Sequence, residues 1–298
     1  MRIFALELNN EIKGIKARKK YIESLIVNLP SPELVVLPEL SICSYMASQE
    51  IWQYADDFGR DTATWAVEMA QKYNTYIGVG YLDKEKDDFF NRYMIAGADG
   101  VCGIVTKSEG ESAVFKRGRF GSLIETPFGT VAVAICYDSR RKHFYDNIKD
   151  RQISLILFPH GAPADPVKSD DEKKTNDYFC GCYVKAFDVP VVYVNSVGAL
   201  EYMPGKMGRM MEKAGFRMNG RTKIYGAKGA CIDSDIAEAA GVDAVLVNKS
   251  RQSDIRFYGE DINKGNRLFR KFILEPDVKM GIRMYEKGKQ IEKAKVLS

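Results

Sequence analysis

The stretch TPFGTVAVAICYDSRRKH, residues 126–143, closes an apolar, β-branched run on a single cysteine, Cys136, and passes at once to an acid and four bases. The run TVAVAIC is apolar throughout instead of alternating, which suits a strand covered on both faces. VVL at 35–37 and LILF at 155–158 read the same way. Strands buried on both sides need a layer above and a layer below, so these runs place the chain in the layered α/β class.

Similar runs recur at RIFALEL (2–8), LVVLPE (34–39), YIGVGYL (76–82), RYMIAG (92–97), VCGIV (101–105), ISLILFP (153–159), VPVVYVN (189–195), KGACID (228–233) and DAVLVN (243–248). With the run that ends at Cys136, about ten strands are expected. Helical stretches at 12–28, 61–73 and 171–188 lie between many of them; in the second, Trp65, Met69 and Tyr73 share one stripe. Turn signals at 83–88 and 98–100 imply antiparallel pairs among the strands, so the sheets are mixed and a pure parallel barrel is disfavoured. No Pro/Gly/Ser linker, repeat or low-complexity segment divides the chain. The expected organisation is one domain over 1–262 with a basic C-terminal extension over 263–298.

The net charge is +4, but residues 264–298 hold ten Lys or Arg against four Asp or Glu, so the rest of the chain is slightly acidic. That tail lacks the regular interleaving of aromatics and bases of a nucleic-acid stacking platform, and no nucleic-acid partner is expected. No signal-peptide pattern opens the sequence and no run is long enough to span a bilayer, so a cytoplasmic protein without a membrane role is expected. The six cysteines, at 43, 102, 136, 180, 182 and 231, are read as reduced thiols. Cys180 and Cys182 have no second cysteine pair, and the chain's two histidines, His143 and His160, form no cluster with them, so no metal site is expected.

Three stretches carry candidate chemistry. At Cys136 the chain can leave its strand and open a helix, whose N–H groups would lower a thiol's pKa and stabilise an oxyanion. An isolated cysteine in an apolar strand is also what a small core residue looks like. Glu39, in LVVLPEL, ends an apolar run, where partial desolvation raises a carboxyl's pKa and suits a general base; the alternative is an acid opening a helix. Lys107, in VTKSEGES, could hold an oxyanion or be a solvated charge at a strand end.

Together these stretches resemble the nitrilase superfamily, also called the carbon-nitrogen hydrolases, whose catalysts are a glutamate, a lysine and a cysteine in that order. Further motifs fall in family order: Tyr45 after the glutamate, Asn91, Glu111 with Phe115 and Gly118, Phe128-Gly129, Arg140, the LILFP strand, Lys185 to Asp188, and Gly220-Arg221-Thr222. The resemblance covers roughly residues 1–250. Two departures stand out: Arg141-Lys142-His143 replaces the usual Phe-Pro-Glu, and the surroundings of Lys107 lack the common Arg-Lys-x-His form. Lys116, the rival lysine, lies beyond Glu111, where the family has no catalytic lysine.

The resemblance implies a four-layer αββα sandwich in which Glu39 takes the thiol proton, Cys136 attacks, and Lys107 with the Tyr137 N–H stabilises the oxyanion. Glu111 matches the family's supporting glutamate. Tyr45 and His160 are the expected substrate-binding residues; a papain-like Cys-His pair is not expected, since a base is already supplied. The implied reaction is hydrolysis of a small amide or carbamoyl substrate through a thioester, with water as the second substrate and no cofactor. Nitrile hydrolysis and a non-catalytic small-molecule-binding relative are the alternatives. A homodimer or larger homo-oligomer is expected, with the 263–298 extension contacting the partner. The methionines of the stretch 203–220, read as a long loop, could line an adaptable site or fill gaps, and no role is assigned to them.

Overall fold

Alternate side chains of the apolar runs enter two different cores, which is why neither face of these strands can be polar. The computed structural model describes residues 1–226, 231–233, 254–257 and 267–297. One sheet has the order β1 (Ile3–Ala5), β3 (Leu34–Val36), β5 (Tyr76–Glu85), β6 (Asp88–Gly97), β7 (Gly100–Thr106), with β4 (Asp56–Asp57) beside β5. The second runs β16 (Cys231–Asp233), β15 (Lys223–Tyr225), β12 (Val191–Val194), β10 (Leu155–Pro159), β9 (Gly129–Val133), β8 (Leu123–Thr126). A smaller sheet joins β11 (Pro163–Ala164), β14 (Arg217–Asn219), β13 (Ser196–Ala199) and β2 (Leu8–Asn9). Both large sheets are mixed: β1, β3 and β5 run parallel and β5 to β7 antiparallel, while β9, β10 and β12 run parallel between antiparallel neighbours.

The odd and even members of each run divide as the pleat requires. Leu34 and Val36, with Val131, Val133, Leu155 and Leu157, fill the core between the two sheets. Val35, Ile77 and Val79 face the other way, onto helices α1 (Ile15–Ile26) and α2 (Arg60–Tyr73) through Ile22, Trp65 and Met69. Ile156 and Phe158 meet α3 (Lys142–Ile148) and α4 (Ser169–Phe187) through Phe144, Phe179 and Tyr183. The layers are therefore helix, sheet, sheet, helix, the expected αββα sandwich. Each buried Val, Leu or Ile contributes roughly 1.5–3 kcal/mol, and Phe158→Ala would cost about 3–5 kcal/mol, because the helix above cannot collapse fully into the space.

The structure departs from the sequence reading in two places. The strand expected to run through Cys136 ends at Val133, although Ile135 is still extended and the turn into the short helix begins at Cys136. The stretch 203–220 is not a loop: it forms α5 (Gly205–Lys213) and then β14. The C-terminal segment is helical, with α6 (Arg267–Phe269) passing through a π turn at Arg270–Leu274 into α7 (Glu275–Leu297). One face of α7 lies on its own domain, where Tyr285 is buried. The expected strand 243–248 and the 262/263 boundary lie outside the described residues. Among the described residues no helix is long and apolar enough to cross a membrane.

Candidate active site

Glu39 follows the end of β3 by way of Leu37 and Pro38, at a close approach to β5 that only glycine permits. A Cβ on Gly80 would stand 2.5 Å from Leu40 N and 2.6 Å from Pro38 O. Ser41 Oγ seals the approach by donating to Gly80 O at 3.1 Å. Glu39 is thus carried inside the sandwich edge, where its side chain is fully buried. Its oxygens are all engaged: Oε1 accepts from Asn91 Nδ2 at 2.7 Å and from Lys107 Nζ at 2.6 Å, and Oε2 accepts from Gly161 N at 2.8 Å.

Lys107 is the first residue after β7, and its backbone N donates to Asn91 O at 2.9 Å, which prolongs the β6–β7 pairing as far as the lysine. Its ammonium is 1% exposed and reaches Glu111 Oε1 at 3.2 Å and Oε2 at 3.3 Å as well as Glu39. Tyr45, also buried, donates its hydroxyl to Glu111 Oε1 at 2.7 Å. One buried cation therefore joins two carboxylates, and that arrangement is what makes its burial tolerable.

Cys136 sits where β9 gives way to a short 3-10 helix over Cys136–Arg140, with φ at 50°, a left-handed conformation that a non-glycine residue holds only under constraint. The constraint is visible: Ser139 Oγ donates to Cys136 O at 2.7 Å. Asp138, buried beside the cysteine, accepts from Ser108 N at 2.7 Å and Glu109 N at 2.8 Å. Those two bonds fasten the cysteine turn to the loop that carries Lys107 and Glu111. Sequence reasoning passed over Asp138; its only signal was an acid directly after the Cys-Tyr pair.

Electrostatics follow from this burial. Desolvation raises the Glu39 carboxyl above its ordinary 4.5, with Lys107 opposing and Glu111 adding to the rise. Desolvation works against the Lys107 ammonium, but Glu111, Glu39 and Cys136 together outweigh it and hold the lysine protonated far above its ordinary value. The Cys136 thiol is pushed up, first by desolvation and then by Glu39. This reverses the sequence expectation of a depressed thiol pKa: desolvation and the neighbouring carboxylate prevail over the N–H groups that open the helix. Burial therefore favours the thiol form of Cys136.

Cys136 opens onto a cavity of about 450 Å³ whose wall includes Tyr137, Arg140, His160, Asn176 and Tyr193. His160 is buried, and its Nδ1 lies 2.8 Å from Phe158 O, so that nitrogen carries the proton and Nε2, 3.4 Å from Ser139 Oγ, is left as an acceptor. Burial, aided by Arg140, pushes its pKa down to about 3, so the ring is neutral. Arg140 stacks 4.1 Å over the Phe179 ring and donates to Asn176 Oδ1. Of the expected substrate-binding residues, His160 lines this cavity, and Tyr45 is bonded to Glu111. Lys116 pairs with Asp88 at the surface and does not reach Glu39. His143 packs against Phe120. Among the described residues no group of three metal-ligating side chains occurs.

The chain is similar to a probable nitrilase of Schizosaccharomyces pombe, 24% identical over 254 residues, which are 82% of this chain and 85% of that protein. Among solved structures, a carbon-nitrogen hydrolase from Helicobacter pylori G27 superposes with a TM-score of 0.68 at 19% identity, covering 82% of this chain and 89% of that one. A mutant amidase from Nesterenkonia sp. AN1, showing covalent addition of the acetamide moiety of fluoroacetamide at its active-site cysteine, superposes with a TM-score of 0.63 at 15% identity, over 81% and 90% of the two chains. These structures share the αββα fold. The carbon-nitrogen hydrolase family model matches residues 13–245, well over half of the sequence, and this chain belongs to that family.

Proposed function

We propose that this protein hydrolyses the carbon-nitrogen bond of a small amide or carbamoyl substrate through an acyl thioester on Cys136. The observation that carries the reading is the Lys107 ammonium held between Glu39 and Glu111, behind a cysteine that opens onto a cavity. Glu39 accepts the thiol proton as sulfur attacks the carbonyl carbon. The oxyanion that forms is stabilised by Lys107 and by the Tyr137 N–H in the first turn of the short helix, where a backbone donor lacks an intrahelical partner. Glu39 returns the proton to the leaving nitrogen, the C–N bond breaks, and ammonia or an amine departs. Water, deprotonated by Glu39, then attacks the thioester, releasing the carboxylic or carbamic acid and restoring the thiol. These steps balance without a cofactor.

Glu111 keeps Lys107 charged and aimed, Tyr45 steadies Glu111, and His160 shapes the cavity wall as a neutral ring. The test is ammonia release from a panel of small amides, carbamoyl amines and nitriles, run beside mass spectrometry after treatment with fluoroacetamide. Turnover of amides or carbamoyl amines with an adduct on Cys136, both abolished in a folded Cys136→Ala variant, is expected. Release from nitriles alone would move the assignment to a nitrilase, and a folded protein with no turnover and no adduct would make it a binding relative.

A homodimer completes the reading. Along the C-terminal helical segment Leu268, Phe272 and Ile291 are large apolar side chains about half exposed or more, and a second copy of this chain is the proposed cover.

A further inference from the structure

Gly281, Tyr285 and Gly288 fall on one face of α7, and that face presses on the loop that carries Glu111. A Cβ on Gly281 would collide with Ser112 Oγ and come within 3.0 Å of Ala113 N. Gln49 Nε2 bridges the two elements, donating at 2.9 Å to Ala113 O in the loop and at 2.9 Å to Met284 O in the helix. Ser112 Oγ donates to Val278 O at 3.3 Å, and Trp52 Nε1 holds the next carbonyl, Val114 O, at 2.9 Å. Tyr285 anchors the helix: its hydroxyl accepts from Phe89 N at 3.0 Å, and its ring meets Trp52 edge-on, with centroids 5.7 Å apart. The far end of the loop is tied to the same strand, since Lys116 N donates to Phe89 O at 2.8 Å.

Glu111 is adjacent to Ser112 within this clamp. Its own carbonyl accepts from Val114 N at 2.8 Å and Phe115 N at 2.9 Å, so the turn moves as a unit, and a displacement at Ser112 and Ala113 carries Glu111 with it. The distances at stake are the 3.2 Å and 3.3 Å contacts to Lys107 Nζ.

We propose that the C-terminal helix is a positioning element of the active site: through Gly281, Gln49 and Tyr285 it sets the loop so that Glu111 stays on Lys107. The inference rests on the role given to Glu111 above. The helix touches no substrate and acts only through that carboxylate.

The test is a double-mutant cycle between Gly281→Ala and Glu111→Gln, read as turnover and as the rate of Cys136 alkylation by fluoroacetamide, which needs no turnover. Alanine favours helix over glycine, so Gly281→Ala does not weaken α7 itself; it only pushes the loop away. In the native background kcat and the alkylation rate should fall roughly tenfold or more, with KM within about twofold, as for other small displacements of catalytic groups. In the Glu111→Gln background the same substitution should cost less than about twofold, because the group it displaces is already disabled. Ser112→Ala, which removes the atom that collides, should restore part of the rate to Gly281→Ala. Gln49→Glu, which places an acceptor against two carbonyls, should repeat the pattern if Gly281→Ala folds poorly. Equal losses in both backgrounds, or native rates in both folded variants, would overturn the inference and leave the proposed function intact. Native turnover in Glu111→Gln alone would instead remove the role of Glu111, and this inference with it.

Discussion

Lys107 Nζ stands 2.6 Å from Glu39 Oε1, with neither side chain more than 1% exposed. Two ions at that depth lose their water, and the loss is tolerable only because each has the other and Glu111 completes the set. The same contact that keeps the cluster charged makes it sensitive to the removal of any one member.

Lys107→Met leaves two carboxylates facing one another with no cation between them. Breaking a buried pair on one side costs about 3–5 kcal/mol, so the urea midpoint should drop clearly, and adding Glu39→Gln should recover part of the loss. A Lys107→Met protein as stable as the parent would show that the cluster is hydrated.

The pH dependence of kcat/KM should be asymmetric. Glu39 must be ionised to accept the thiol proton, and its carboxyl is raised by burial, so activity should rise with pH along a limb centred above 4.5, the ordinary glutamate value. Lys107 is held protonated far above 10.5, so its deprotonation should not close the alkaline side below that pH. A rate profile with its acid limb at or below 4.5 would remove Glu39 from the role of base.

His160 should contribute to acid sensitivity. Its pKa is about 3 in the folded protein against 6.5 ordinarily, so the unfolded chain binds a proton that the native state refuses. Stability from this ring is complete above about pH 6.5 and is lost as pH falls towards 3. His143, lowered to about 4, acts in the same direction, while Asp138, raised to about 6, acts in the opposite one. The measurement is therefore a comparison of slopes: His160→Gln should lose less stability than the parent between about pH 7.5, roughly one unit above the ordinary imidazole pKa, and about pH 4.5, and an unchanged slope would exclude the effect.

Assembly can be read by light scattering at micromolar concentration. A homodimer is expected, and Phe272→Glu with Ile291→Glu, both at exposed positions, should shift it to monomer without unfolding. A monodisperse monomer from the unaltered chain would leave the outer face of α7 uncovered and defeat the proposal.

Much of the site was legible because its members lie at strand ends. Glu39, Lys107 and Cys136 each follow an apolar run closely, and the order of the motifs around them tied the three together before any fold was known. Asn91 and Glu111 were legible in the same way. Gly161 and Asp138 were not, since their contributions are a backbone N–H aimed at Glu39 and a carboxylate capping Ser108 and Glu109, partners 122 and about 30 residues away in sequence. The methionine-rich stretch was misread because α5 is short and its side chains alternate with Gly and Lys, so a helical stripe was hard to see.

The sequence by itself determined the layered α/β class, the strand-end positions of Glu39, Lys107 and Cys136 and the family, because side-chain alternation and motif order are local properties of the chain. Only the tertiary structure decided the protonation of the cysteine, the bond from Tyr45 to Glu111, and the docking of α7 against the Glu111 loop. Those depend on desolvation and on contacts between segments as much as 235 residues apart, such as Gln49 with Met284. No window of sequence contains both partners of such a contact, and the free energy of burying a charge is set by what surrounds it in space.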